Sequence, residues 1–90
     1  MPRYFTDTDD GILSAVDDEG IEFASVSNAR EAALKALPEM AHDAFRRYGS
    51  QEFSVCVRDD AGRDVYRAVL TLKEDWADGA ELPKGDGAPP

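Results

Sequence analysis

Residues 52–72 read EFSVCVRDDAGRDVYRAVLTL, and this stretch decides the fold. From Glu52 to Arg58 the chain alternates. Phe53, Val55 and Val57 fall on one side, and Ser54, Cys56 and Arg58 on the other, which is the period of a strand with two different environments. Asp59-Asp60-Ala61-Gly62 is a turn with a mechanism: an Asp at its start accepts local N–H groups, and Gly at its end takes a positive φ. Asp64 to Leu72 alternates again, with Tyr66, Ala68, Leu70 and Leu72 on one face and Val65, Arg67, Val69 and Thr71 on the other. Two alternating runs around such a turn make an antiparallel hairpin.

Upstream of the hairpin the period changes. Val26, Ala29, Ala33, Leu37, Met40, Ala41, Ala44, Phe45 and Tyr48 recur at gaps of three and four, tracing one face of a helix. Ser25 is the candidate N-cap, with Ser27 as the alternative, and Gly49 is a natural stop. The Arg46–Arg47 pair complements the C-terminal end of the dipole. Pro38 deletes the hydrogen bond to the Leu34 carbonyl and crowds that turn. The apolar stripe keeps its phase across Pro38, so the pattern predicts one kinked helix rather than two.

The N-terminal quarter reads as strands. Arg3 to Asp7 is short and aromatic, with Tyr4 and Phe5 on opposite faces. Asp9-Asp10-Gly11 turns into a second strand, Ile12 to Val16, which Ile21 to Phe23 prolongs after a further turn at Asp17-Asp18-Glu19-Gly20. The expected architecture is an α+β, two-layer ββαββ domain over residues 1–74. A four-stranded antiparallel sheet carries one long Pro-kinked helix on one face. Residues 75–90 hold three Gly and three Pro among charges and few apolar groups, and are expected to form a disordered acidic tail.

Several residue orders resemble those of a known family. The opening Met1-Pro2-Arg3-Tyr4-Phe5 is one. The acidic turn before a short strand, Asp18-Glu19-Gly20 with Glu22, the helix around Ala29-Arg30-Glu31-Ala32, and Val57 to Arg63 leading into a strand are the others. Together, over about residues 1–73, they resemble a family of short alphaproteobacterial proteins of unknown function. That resemblance implies a short, cytoplasmic, mostly single-domain protein with no assigned activity, and brings no catalytic residues with it. Two positions depart from the family pattern: Thr6 stands where a further aromatic is typical, and Pro38 interrupts a helix that is elsewhere unbroken.

Charge narrows the function classes. The 90 residues carry 19 acidic and 10 basic side chains, a net charge of −9. A nucleic-acid binder needs Lys and Arg to displace counterions, and an anionic membrane surface needs them too. Neither partner is expected. No secretory leader is expected, because Asp7, Asp9 and Asp10 arrive where an apolar core would lie. The single Cys forms no intrachain disulfide and suits a reducing cytoplasm.

Few groups combine into chemistry. Asp7, Asp9, Asp10, Asp17 and Asp18 sit in oxygen-rich turns of the kind that hold Ca²⁺ or Mg²⁺. The EF-hand spacing fails: counted from Asp7, Gly falls at position five and position twelve is Asp18. These five are therefore weak candidates, and ordinary solvated turns account for them. His42 lies on the helix beside Glu39, without the further His or Cys ligands of a metal site or the cleft of a general base. Cys56 shares a strand face with Arg58, a thin basis for an activated thiolate. No catalytic residue and no cofactor is expected. With the helix on one face, the other would still carry Cys56, Val65 and Val69, plus Tyr4 or Phe5. Cys56, Val65, Arg67 and Val69 are thus the interface candidates. The functional expectation is a non-enzymatic protein-interaction module whose partner is another protein or a second copy of itself. The alternatives are a weak divalent-cation or stress-related protein using the Asp turns, and a small-ligand binder or enzyme with a shallow pocket near His42.

Overall fold

The computed structural model describes residues 1–44, 51–75 and 77. The expected end of the helix at Phe45–Tyr48, its Arg46–Arg47 pair, the Gly49 stop and most of the acidic tail lie outside the described residues. In chain order the elements are β1 (Arg3–Asp9), β2 (Ser14–Ala15), β3 (Ile21–Glu22), α1 (Val26–Leu34), α2 (Ala36–Asp43), β4 (Gln51–Arg58) and β5 (Asp64–Leu72). All pairings are antiparallel.

The hairpin forms as its residues dictate. Asp59 N–H donates to the Arg63 carbonyl at 2.9 Å, and Gly62 N–H returns to the Asp59 carbonyl at 3.0 Å. Gly62 holds φ +81°, the left-handed geometry that closes a three-residue loop. Asp59 Oδ1 accepts from the Ala61 and Arg63 N–H groups, each at 2.9 Å. The ladder then runs from Gln51↔Leu72 to Val57↔Tyr66 and slips by one residue before Arg58↔Asp64. The slip is a β-bulge that leaves Val65 without a partner.

On the other side β4 pairs with β1 in a register running from Phe5↔Arg58 to Asp9↔Ser54. The sheet order is β2-β1-β4-β5, with β3 also on β1. Among the described residues the expected four strands are therefore five, and the ββαββ outline is corrected on the N-terminal side. The run Ile12–Val16 is a strand only at Ser14–Ala15, and Ile21–Glu22 is a separate strand. Both lie along β1, β2 against Thr8 and Asp9 and β3 against Arg3 and Tyr4. Between them five residues, 16–20, face three, 5–7, and the excess breaks one edge strand into two.

The helix packs on one face of this sheet. Ser25 caps it in an extended conformation (φ −156°, ψ 164°), its side chain accepting from the Asn28 N–H at 3.2 Å. Ser27 lies inside α1. Ser25→Ala is expected to lower stability by about 1 kcal/mol, read by urea denaturation. The two halves form one helix over 26–43 bent at Lys35, one turn before Pro38. That is where the proline's missing N–H leaves Leu34 without its bond and its ring crowds the Leu34 carbonyl. Pro38 itself lies in the first turn of α2, where no N–H is needed.

The core is small. Phe53, Val55 and Val57 from β4 are fully buried against Ala29, Ala33, Leu37 and Ala44 of the helical layer and Tyr4 of β1. The alanines bring the helix backbone close to the sheet. Tyr66, Ala68 and Leu72 pack around this cluster, as does Val65, which the bulge turns to the helix side. Among the described residues no helix is long and apolar enough to cross a membrane.

Candidate functional site

The face away from the helix is built in rows set by the strand register. Asp9, Ser54 and Val69 lie side by side across β1, β4 and β5, with Ser14 of β2 beside Asp9. The next row is Asp7, Cys56 and Arg67, and the third is Phe5 and Arg58. This face is mixed and charged, not the half-apolar surface expected. Tyr4 belongs to the core and Val65 to the bulge, so of the four interface candidates the register brings Cys56, Arg67 and Val69 together and leaves Val65 out. A shallow depression of about 160 Å³ lies here, lined among others by Asp7, Asp9, Ser14, Val16, Cys56 and Arg67.

One network organises the site. Arg58 grips Asp7 with two hydrogen bonds, Nε to Oδ2 at 2.7 Å and Nη2 to Oδ1 at 3.0 Å. Its guanidinium lies 5.2 Å from the Phe5 ring centroid and also donates to the Asp17 carbonyl at 2.8 Å. Asp17 N–H donates to Asp7 Oδ1 at 2.9 Å. The Asp17 carboxylate bonds both to β1 and within the 16–20 segment: Oδ2 accepts from Thr6 N–H at 3.1 Å, and Oδ1 from the Glu19 and Gly20 N–H groups at 3.0 Å each. A side chain thus replaces the backbone partner that the extra residues deny to Thr6.

These bonds stabilise the charged carboxylates. The Arg58 hydrogen bond, opposed by burial, holds Asp7 below its ordinary value near 3.8. Three N–H groups, that of Gly20 foremost, do the same for Asp17. The Arg63 N–H leads in lowering Asp59. A carboxylate depressed in the fold stabilises it above the unfolded-state pKa, and that contribution is lost as pH falls through the folded value. The urea midpoint is therefore expected to be level from pH 7 to about 5 and to fall steeply below about pH 4. A midpoint unchanged at pH 3 would contradict this assignment.

The metal candidates have other occupations. Asp7 and Asp17 belong to the network; Asp9 Oδ1 accepts from Gly11 N–H and its Oδ2 from the Ser14 hydroxyl. Asp10 Oδ1 accepts from the Ile12 and Leu13 N–H groups. Asp18 is exposed in the 16–20 segment between β2 and β3. Among the described residues no three His, Cys, Asp or Glu side chains come together as metal ligands. Cys56 is half-buried; burial, and then a hydrogen bond with Asp64, push its thiol up, away from a thiolate. His42 lies apart on α2, exposed, in an open groove it shares with Pro38, Glu39 and Asp43.

What sequence reasoning missed is the outer edge. Ile12, Leu13, Val16 and Ile21 are between 60% and 73% exposed, although the sequence reading takes Ile12–Val16, prolonged by Ile21–Phe23, as a strand of the sheet. Their one signal is that the two acidic turns flank a run too short to be covered.

A family model described as "Domain of unknown function (DUF6894)" matches residues 3–71. No curated protein matches the chain. No solved structure matches it either.

Proposed function

We propose, on the premise that this chain belongs to the DUF6894 family of domains of unknown function, that it is a non-enzymatic protein-interaction module working through the outer edge of its sheet. The observation that carries this is the cluster of Ile12, Leu13, Val16 and Ile21 at one edge. Single exposed apolar residues are ordinary, but four large ones within ten positions along one sheet edge are a concentration of the kind that marks contact sites. The edge adjoins the depression through Val16, which makes Cys56 and Arg67, with Val69 beside Ser54, the neighbouring part of the same surface. A raised thiol pKa at Cys56 and the occupied carboxylates support binding rather than catalysis. A reducing cytoplasmic setting goes with the single cysteine. A second copy of the chain is the competing partner, disfavoured by the net charge of −9 on each.

The test is a comparison of the wild type with the Leu13→Asp/Val16→Asp variant. Both sites are exposed, so melting temperatures should agree within a few degrees. Partners crosslinked in the native cell to the wild type should be lost from the variant. An unchanged partner set would end this assignment of the surface.

A further inference from the structure

We infer that the occupant of the β2–β3 edge is an extended segment of a partner protein in which pairs of Lys or Arg residues alternate with pairs of apolar residues, so that each face of the segment carries both, a conclusion that rests on the interaction role proposed above. Two observations carry it. The first is where the apolar side chains lie. Ile21 pairs with Tyr4, which faces the helix side, whereas Val16 lines the depression on the opposite face. Apolar groups on both faces of one edge are covered together only by something that straddles the edge. An extended chain does so, because its successive side chains point to opposite faces. With only Ser14–Ala15 and Ile21–Glu22 in strand conformation, backbone pairing is confined to two short stretches, and side chains supply most of the contact.

The second observation is charge. Residues 4–29 contain seven acidic side chains, Asp7, Asp9, Asp10, Asp17, Asp18, Glu19 and Glu22, and no basic one. Asp7 is neutralised by Arg58, and Arg3 approaches Glu22 at 3.7 Å. Arg3 also donates from Nη1 to the Glu19 and Gly20 carbonyls at 3.0 and 3.3 Å, while the exposed carboxylates of Asp18 and Glu19 form a negative rim beside Val16 and Ile21. A second copy would bring the same negative rim against it. A basic segment removes the repulsion and places its ammonium or guanidinium groups over Asp18 and Glu19, while its apolar residues cover Val16 and Ile21.

The experiment uses the full chain, labelled with ¹⁵N, and two capped peptides of about eight residues, one repeating Lys-Lys-Val-Val and the other Glu-Glu-Val-Val. The Lys–Val peptide is expected to shift amides in residues 12–22 and to bind at least about tenfold more tightly than the Glu–Val peptide. Raising the salt from low to physiological ionic strength should weaken it several-fold, as exposed charges are screened. Asp18→Asn/Glu19→Gln should weaken it further without changing the melting temperature. Equal binding of both peptides, shifts confined to β5, or no shifts would each overturn the basic-segment inference. The interaction role is judged separately by the crosslinking comparison of wild type and Leu13→Asp/Val16→Asp. Lost partners with an inert peptide would leave that role standing and this partner chemistry refuted.

Discussion

Gly20→Ala is expected to destabilise the domain by about 3 kcal/mol, the largest single effect predicted for this chain. Two costs add. Gly20 holds φ +73°, a conformation that costs an L-residue about 1–2 kcal/mol. A Cβ there would also stand 2.8 Å from Arg3 Cγ and 2.8 Å from Phe5 Cε2, well inside contact distance. Phe5 has little room to yield, since the Arg58 guanidinium lies over its ring. Gly62→Ala separates the two costs. Its φ is +81°, but nothing lies within 4 Å of a new Cβ, so only the backbone cost of about 1 kcal/mol applies. Urea denaturation of both variants should therefore differ by about 2 kcal/mol. Equal losses would mean that the close approach of Gly20 to Phe5 contributes nothing.

Asp17→Ala is expected to cost about 2 kcal/mol, because three N–H groups lose their shared acceptor. Asp17→Asn should recover at most half of this. A carboxamide offers one oxygen, so either Thr6 or the Glu19–Gly20 pair must face an NH₂ group instead. The alanine variant should also lose stability less steeply below about pH 4, since one depressed carboxylate is gone. A loss under about 0.5 kcal/mol, the level of an ordinary surface substitution, would show that water replaces the carboxylate freely.

These two residues mark where sequence reasoning stops. β4 and β5 were legible because their own residues carry the period, and their turn is specified within four positions. The helix was legible from its Ala–Leu stripe, and Ser25 from its place before it. The break at Lys35 follows from Pro38 by local chemistry. The outer edge was not legible, because its geometry depends on partners far along the chain. Arg58 is 51 residues from Asp7 and 41 from Asp17. A string of Asp before Gly looks the same whether its oxygens face water, a cation or the backbone of another strand. Only the register of β1 on β4 decides that Asp7 meets Arg58. The same register made the open face polar, and a one-residue bulge, invisible in an alternating run, took Val65 from it.

The place of β1 in the sheet bears on how the chain is made. β1 lies between the β2–β3 edge and β4, which is made about fifty residues later, and among the described residues the three fully buried large side chains, Phe53, Val55 and Val57, all belong to β4. Until residue 57 has emerged, the helix has no surface to settle on and β1 has only the thin β2–β3 edge beside it. Synthesis at about 5–20 residues per second therefore leaves the nascent N-terminal half uncommitted for seconds, with Ile12, Leu13, Val16 and Ile21 already outside. The acidic residues interleaved with them keep that emerging segment apart from its own copies on neighbouring ribosomes.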